Sequence, residues 1–264
     1  MISFTALLNA ELRKTVDTRA ARWLLAGTAL LAMAAEAVPL AFTHDVTQTR
    51  ASYLTWSALG VSRLLPIVLM MAMTAEWSQR TAIMTFTLEP RRGRVLAAKV
   101  ISGLGIAAGF GCFAFLTALV TTACRHVTGG WDWPELAGFA VFVILTSAIG
   151  IAVGAALHST AAAIVTYFAL AAAVSLLMIP AMAKAGAWIN TGQTFGWVLN
   201  GQWSGHGAQI AASAALWIAL PLAIGAVRTI RREALLSERA VVPVAMLPRF
   251  APLPAHTRVS MASQ

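Results

Sequence analysis

Few residues in this sequence stand where they could do covalent chemistry. A nucleotide-binding loop needs a glycine-rich turn ending in Gly-Lys-Ser/Thr, so that backbone N–H groups and one lysine cradle the phosphates. No Gly-Lys pair occurs anywhere in the chain. A zinc hydrolase needs H-E-x-x-H to set two imidazoles on one helix face, and an esterase needs a G-x-S-x-G elbow to expose its serine; both patterns are absent. His126, His158 and His206 fall near different loops and form no cluster. Cys112 and Cys124 are the only cysteines. They share one apolar stretch, about 18 Å apart along a helix, which is too far for a disulfide. The sequence therefore offers no catalytic residues, no metal site and no sign of a cofactor, and the chain is expected not to be an enzyme.

The charged residues carry more information. Glu36 and Arg63 each lie inside an apolar stretch, where a charge is costly and usually paired or functional. Adjacent antiparallel helices would bring them to similar depth, so they are expected as an intramembrane charge pair. The alternative is that each snorkels toward the surface. Between the apolar stretch that holds Arg63 and the next one runs a polar link, residues 76–99. In it Trp77, Thr81, Met84 and Leu88 share one helical face, and Glu76 and Arg80 form an i,i+4 pair beside it. Pro90 then breaks the helix, and Arg91, Arg92, Arg94 and Lys99 lead into the next apolar stretch. Near the start, Phe4, Leu7, Leu8 and Leu12 recur at helical spacing, with Asn9, Arg13 and Lys14 off the stripe. That pattern predicts an amphipathic helix lying in a membrane interface.

The elements that must position these residues are set by composition. Of 264 residues, 59% are hydrophobic and 11% charged, against roughly 45–50% and 25% in soluble domains. A spanning helix needs about 20 mostly apolar residues. Six stretches qualify, at about 22–42, 54–75, 99–123, 136–157, 161–183 and 208–227. The fold class is thus an all-α integral membrane protein with six transmembrane helices over residues 1–230. The fourth and fifth spans are separated only by His158-Ser159-Thr160, a tight hairpin. The first apolar run reads as a span and not as a cleaved leader, because 22 residues including Glu11 and Asp17 precede it.

Orientation follows from the basic residues. Arg13, Lys14, Arg19 and Arg22 precede span one; Arg80, Arg91, Arg92, Arg94 and Lys99 fill the link after span two; Arg228, Arg231, Arg232, Arg239, Arg249 and Arg258 follow span six. Only Arg50, Arg125 and Lys184 lie in the opposite loops. The positive-inside rule then places both termini in the cytoplasm of a cell (plasma or inner) membrane. The net charge of +9 reads as this basic fringe facing lipid, with no nucleic-acid partner. The outer segment 184–207 carries Trp188, Trp197 and Trp203, which suit a membrane surface. Residues 231–264, with four prolines from Pro243 to Pro254, read as a largely disordered tail. Gly105-x-x-x-Gly109 and Gly150-x-x-x-Gly154 are small-residue packing motifs, expected to serve ordinary packing within the bundle.

Two motifs carry a resemblance. Glu76, Thr81, Leu88, Pro90, Arg91, Arg92, Arg94 and Lys99 are similar to the link after span two in the permease subunits of ABC-2 type transporters. Glu11, Lys14, Arg19 and Trp23 resemble the segment those permeases carry before span one. Ala75 and Arg80 stand where the family has glycine. The resemblance implies a non-catalytic permease that exports a hydrophobic or amphipathic cargo (drug, antibiotic, lipid or peptide). It implies two copies of a separate ATPase subunit docked beneath, and a second permease subunit, identical or a sister chain. It also makes the N-terminal helix and residues 76–90 the coupling elements. A secondary transporter, or an intramembrane enzyme, is the alternative.

Overall fold

The structure, a computed structural model, describes residues 3–42, 48–78, 91–175 and 183–240, with residues 183, 185 and 231–240 described in backbone only. The chain divides into two units, Met1–Ile230 and Arg231–Gln264; the architecture below is that of the first. Every regular element among the described residues is helical.

Helix α1, Phe4–Asp17, opens where the Ser3 hydroxyl accepts the Ala6 N–H. It stops at Thr18, whose extended backbone frees its hydroxyl to accept the Ala21 N–H and so cap α2, Arg19–Ala35. Glu36 joins α2 to the short α3, Ala37–Ala41. Pro39 explains the break, since it has no N–H to offer the Ala35 carbonyl and its ring crowds that oxygen. Helices α4 (Arg50–Ser78), α5 (Arg92–Cys124) and α6 (Trp133–Leu157) are long. Helix α6 ends at His158, which takes a left-handed conformation with φ 52°, and α7 (Thr160–Ser175) starts two residues later. That is the expected hairpin. Helices α8 (Ala183–Ile189), α9 (Thr191–Leu199) and α10 (Gly207–Ala214) follow. A π-helical turn over Ala215–Ala219 then leads into α11, Leu220–Ala240. Pro221 cannot bond the Trp217 carbonyl, and the wider turn accommodates that gap.

Among the described residues, five stretches are long and apolar enough to cross a membrane: Arg19–Ala41, Arg50–Ser78, Arg92–Cys124, Trp133–Leu157 and Gly207–Ile230. The sixth expected span is described as α7, an apolar helix of 16 residues, and 176–182 lie outside the described residues. The outer surface carries large apolar side chains, including Trp23, Leu30, Trp133 and Val165, as a lipid-facing surface should.

Helix α4 is the centre of the bundle, packed against α2, α5 and α6. Its Tyr53, Leu65, Leu69 and Met70 are fully buried. Two glycines allow the close approaches. A Cβ on Gly60 would sit 2.7 Å from the Ala32 Cα on α2, and one on Gly150 would sit 2.3 Å from the Pro66 carbonyl oxygen on α4. Gly154 likewise faces Met70 and Met73, so the second small-residue motif is the α4–α6 seam. The first motif departs from the expectation of bundle packing, because nothing lies within 4 Å of a Cβ on Gly105 or Gly109. The segment after residue 183 folds back: Phe195 and Val198 of α9 are buried, and the Val198 carbonyl lies over Gly138 of α6.

Candidate functional site

The charged cluster at the basic end of the bundle is built from the periodicity of α1. Leu7 packs with Val95 and Ala98 of α5. Glu11, one helical turn further on, falls on that same face. Seating Leu7 therefore carries Glu11 into the bundle, where it is 3% exposed. Lys99 follows Ala98 on α5, and Glu76 lies in the last turn of α4, 5% exposed.

Four side chains meet there. Lys14 Nζ donates to Glu11 Oε1 at 2.7 Å and to Glu76 Oε1 at 3.0 Å. Lys99 Nζ donates to Glu11 Oε2 at 2.8 Å and lies 3.5 Å from Glu76 Oε1. Each ammonium bridges both carboxylates. Burial costs charged groups several kcal/mol each, and only a fully satisfied network recovers it. Burial alone would lower the Lys14 pKa, but its hydrogen bond to Glu11 and the charge of Glu11, then those of Glu76, outweigh burial and hold it above 10.5. The arrangement locks α1, the end of α4 and the start of α5 into one register.

A second set of polar ties extends this end of the bundle. The Thr160 hydroxyl at the start of α7 meets the Thr74 hydroxyl at 2.6 Å and that of Ser78 at 3.0 Å. Trp77 sits edge-on to His158, with ring centroids 4.6 Å apart. His158 Nε2 lies 3.3 Å from the Thr229 hydroxyl, and the Arg92 guanidinium donates to the Thr229 carbonyl at 3.5 Å. Arg228 donates at 2.7 Å to the Ala156 carbonyl, one of the C-terminal oxygens that α6 cannot satisfy itself. No role in a site was expected from the sequence for Thr74, His158, Thr160, Arg228 or Thr229. The one local signal was the two-residue turn after Leu157, which brings His158 and Thr160 to the end of α4.

Of the coupling residues expected from the sequence, Glu76 and Trp77 are described; Arg80, Thr81, Met84, Leu88 and Pro90 lie outside the described residues. Glu76 and Trp77 also need a correction. They belong to the final turn of α4 and not to a separate surface helix, and Glu76 faces inward. Glu11 and Lys14 join Glu76, whereas Arg19 and Trp23 are exposed and take no part.

The expected pairing of Glu36 with Arg63 is not made. Helices α2 and α4 run antiparallel and cross at Ala32 and Gly60. Glu36 lies four residues beyond that crossing in one direction and Arg63 three in the other, an axial offset of about 10 Å. Arg63 is exposed, while Glu36 is 3% exposed and accepts a hydrogen bond from the Thr121 hydroxyl of α5. Among the described residues no group of three or more His, Cys, Asp or Glu side chains could hold a metal ion.

Fold and site together define an all-α, membrane-embedded protein with a bridged charge cluster at one end of its bundle and a separate buried carboxylate, Glu36, elsewhere. No protein-family model, curated protein or solved structure matches the chain.

Proposed function

We propose that this chain is the membrane-spanning permease subunit of an ABC-2 type exporter. In this reading it crosses the cell membrane six times, α7 with the residues after it supplying the remaining span. Both termini face the cytoplasm, and the chain pairs with a second permease subunit. Two copies of a separate ATPase supply the energy, and a hydrophobic or amphipathic cargo moves outward. The observation that supports it is the four-membered charge cluster. It ties the N-terminal helix to both ends of the link at residues 79–90, the two segments on which the resemblance rests. A push on either segment would be delivered to α4, the helix packed against α2, α5 and α6. Glu76 then acts as a positioning residue, and the contact with the ATPase falls to the exposed residues around it.

The test is to look for an ABC ATPase among the neighbouring genes and co-express it with this chain. Glu76→Lys sets a third cation among the cluster and should lose both the complex and ATP turnover. Arg13→Glu with Arg91→Glu leaves the cluster intact, since both side chains are exposed. It should insert normally yet recover little ATPase. An ATPase held equally by all three proteins would sink the coupling role. Orientation is checked by cysteine labelling of intact cells, in a background lacking Cys112 and Cys124. Gly130→Cys should react with an impermeant reagent, and Gly93→Cys only after permeabilisation; the reverse would overturn the topology.

A further inference from the structure

Among the described residues, a carboxylate at the end of the first membrane-crossing helix keeps an unsatisfied oxygen. The Pro39 break sets Glu36 at the turn between α2 and α3, where it faces α5. Its Oε2 accepts from Thr121, and its Oε1 is buried with no hydrogen-bond partner. No cation among the described residues forms an ion pair with it. A buried oxygen without a partner costs free energy, and a carboxylate without a counter-charge costs more.

Glu36 lines a cleft of about 410 Å³ between α2 and α5, a size that suits a drug-sized molecule. The rest of the wall is Met33, Phe113, Leu116 and Val120, with the hydroxyl-bearing Thr117 and Thr121 beside the carboxylate. Met33, Leu116 and Val120 are 46%, 55% and 60% exposed, so the cleft opens sideways, toward lipid. A metal ion would find one carboxylate and apolar walls, too few oxygens to replace its water. An anion would be repelled, and a lipid tail would leave Oε1 as it is. An apolar body carrying a positive charge satisfies both wall and carboxylate.

We propose that this cleft binds a lipophilic organic cation, entering from the lipid side with its charged centre on Glu36. Binding itself needs no ATPase; that the bound cation is the exported cargo rests on the permease reading above.

The experiment uses the purified full chain in lipid nanodiscs, without any ATPase, so its outcome is independent of coupling. The probe is radiolabelled tetraphenylphosphonium, whose charge does not change with pH. Saturable binding is expected, displaced by unlabelled cation and not by neutral triphenylphosphine oxide. Glu36→Gln should weaken it at least about tenfold. Leu116→Trp, which fills the cleft and leaves Glu36 in place, should weaken it as much. Thermal melts of both variants verify folding. Wild-type affinity in Glu36→Gln would show that the carboxylate is not the anchor, and in Leu116→Trp that the cleft is not the seat. An absence of saturable binding would overturn the proposal, leaving the proton as the carboxylate's partner. So would a disulfide between two copies of Leu116→Cys, which would make a second chain the occupant.

Discussion

Replacing Glu11 by glutamine tests whether the charge cluster holds the bundle's basic end together. Glu11 is 3% exposed and takes hydrogen bonds from both ammonium groups, at 2.7 and 2.8 Å. Without its charge, Lys99, whose side chain is 10% exposed, keeps only Glu76 at 3.5 Å. Removing one partner of a buried pair costs about 3–5 kcal/mol. Glutamine keeps one hydrogen bond, so we expect about 2–3 kcal/mol for Glu11→Gln. Lys14 is different: its side chain is 49% exposed, water screens it, and Lys14→Gln should cost under about 1 kcal/mol. The double variant Glu11→Gln with Lys99→Gln removes both charges together and should cost less than the sum by about 1–2 kcal/mol. Denaturant or thermal unfolding in nanodiscs reads these values through the nine tryptophans. Equal costs for Glu11→Gln and Lys14→Gln, or simple additivity in the double variant, would refute the claim that buried, bridged charge is what fixes this end.

Two other predictions use the same unfolding assay. Gly150→Ala drives a methyl to 2.3 Å from the Pro66 carbonyl oxygen, a backbone atom that cannot swing aside, and should cost about 1–3 kcal/mol. Gly105→Ala meets nothing within 4 Å and should be neutral or gain up to about 1 kcal/mol; no loss at Gly150 would mean the α4–α6 seam is looser than described. The raised pKa of Lys14 sets a pH window. Its contribution is complete below 10.5 and is lost only as pH rises through the higher folded value. The stability difference between wild type and Lys14→Gln should therefore stay flat between about pH 6 and 9 and shrink only in strong alkali; a change near neutral pH would point to another group.

Five of the six expected spans are matched among the described residues by helices long and apolar enough to cross a membrane, because hydrocarbon thickness imposes a length and lipid imposes a composition, and both can be counted along the chain. The start of α1 was legible from Phe4, Leu7, Leu8 and Leu12. The role of Glu11 was not. Its spacing from Leu7 puts it on the buried face, but a carboxylate on an amphipathic helix is by default assigned to water. Its partner Lys99 is 88 residues away, with no local pattern to announce it. The misplaced helix boundary at Glu76 has a simpler cause. Ala75-Glu76-Trp77-Ser78 contains no glycine or proline, so nothing stops α4 where its apolar residues end. Glu36 and Arg63 failed to pair because depth was counted from span ends, whereas the register of α2 on α4 is set by where Gly60 lets Ala32 in.

The chain's choice of base at the cluster bears on why it holds. Arginine dominates the basic residues, and lysine occurs only at 14, 99 and 184. Two of those three meet in the cluster. A guanidinium is a planar fork suited to gripping one carboxylate face-on. Lys14 and Lys99 each have to reach two carboxylates from a single atom, which a compact ammonium with three rotatable donors can do. Sharing is what makes the arrangement a tie between three helices and not two separate ion pairs. A push on α1 strains the bonds to Glu11, and through either lysine the strain reaches Glu76 and hence α4. The rarity of lysine elsewhere is thus the sequence feature that marks the place where three elements share one set of charges.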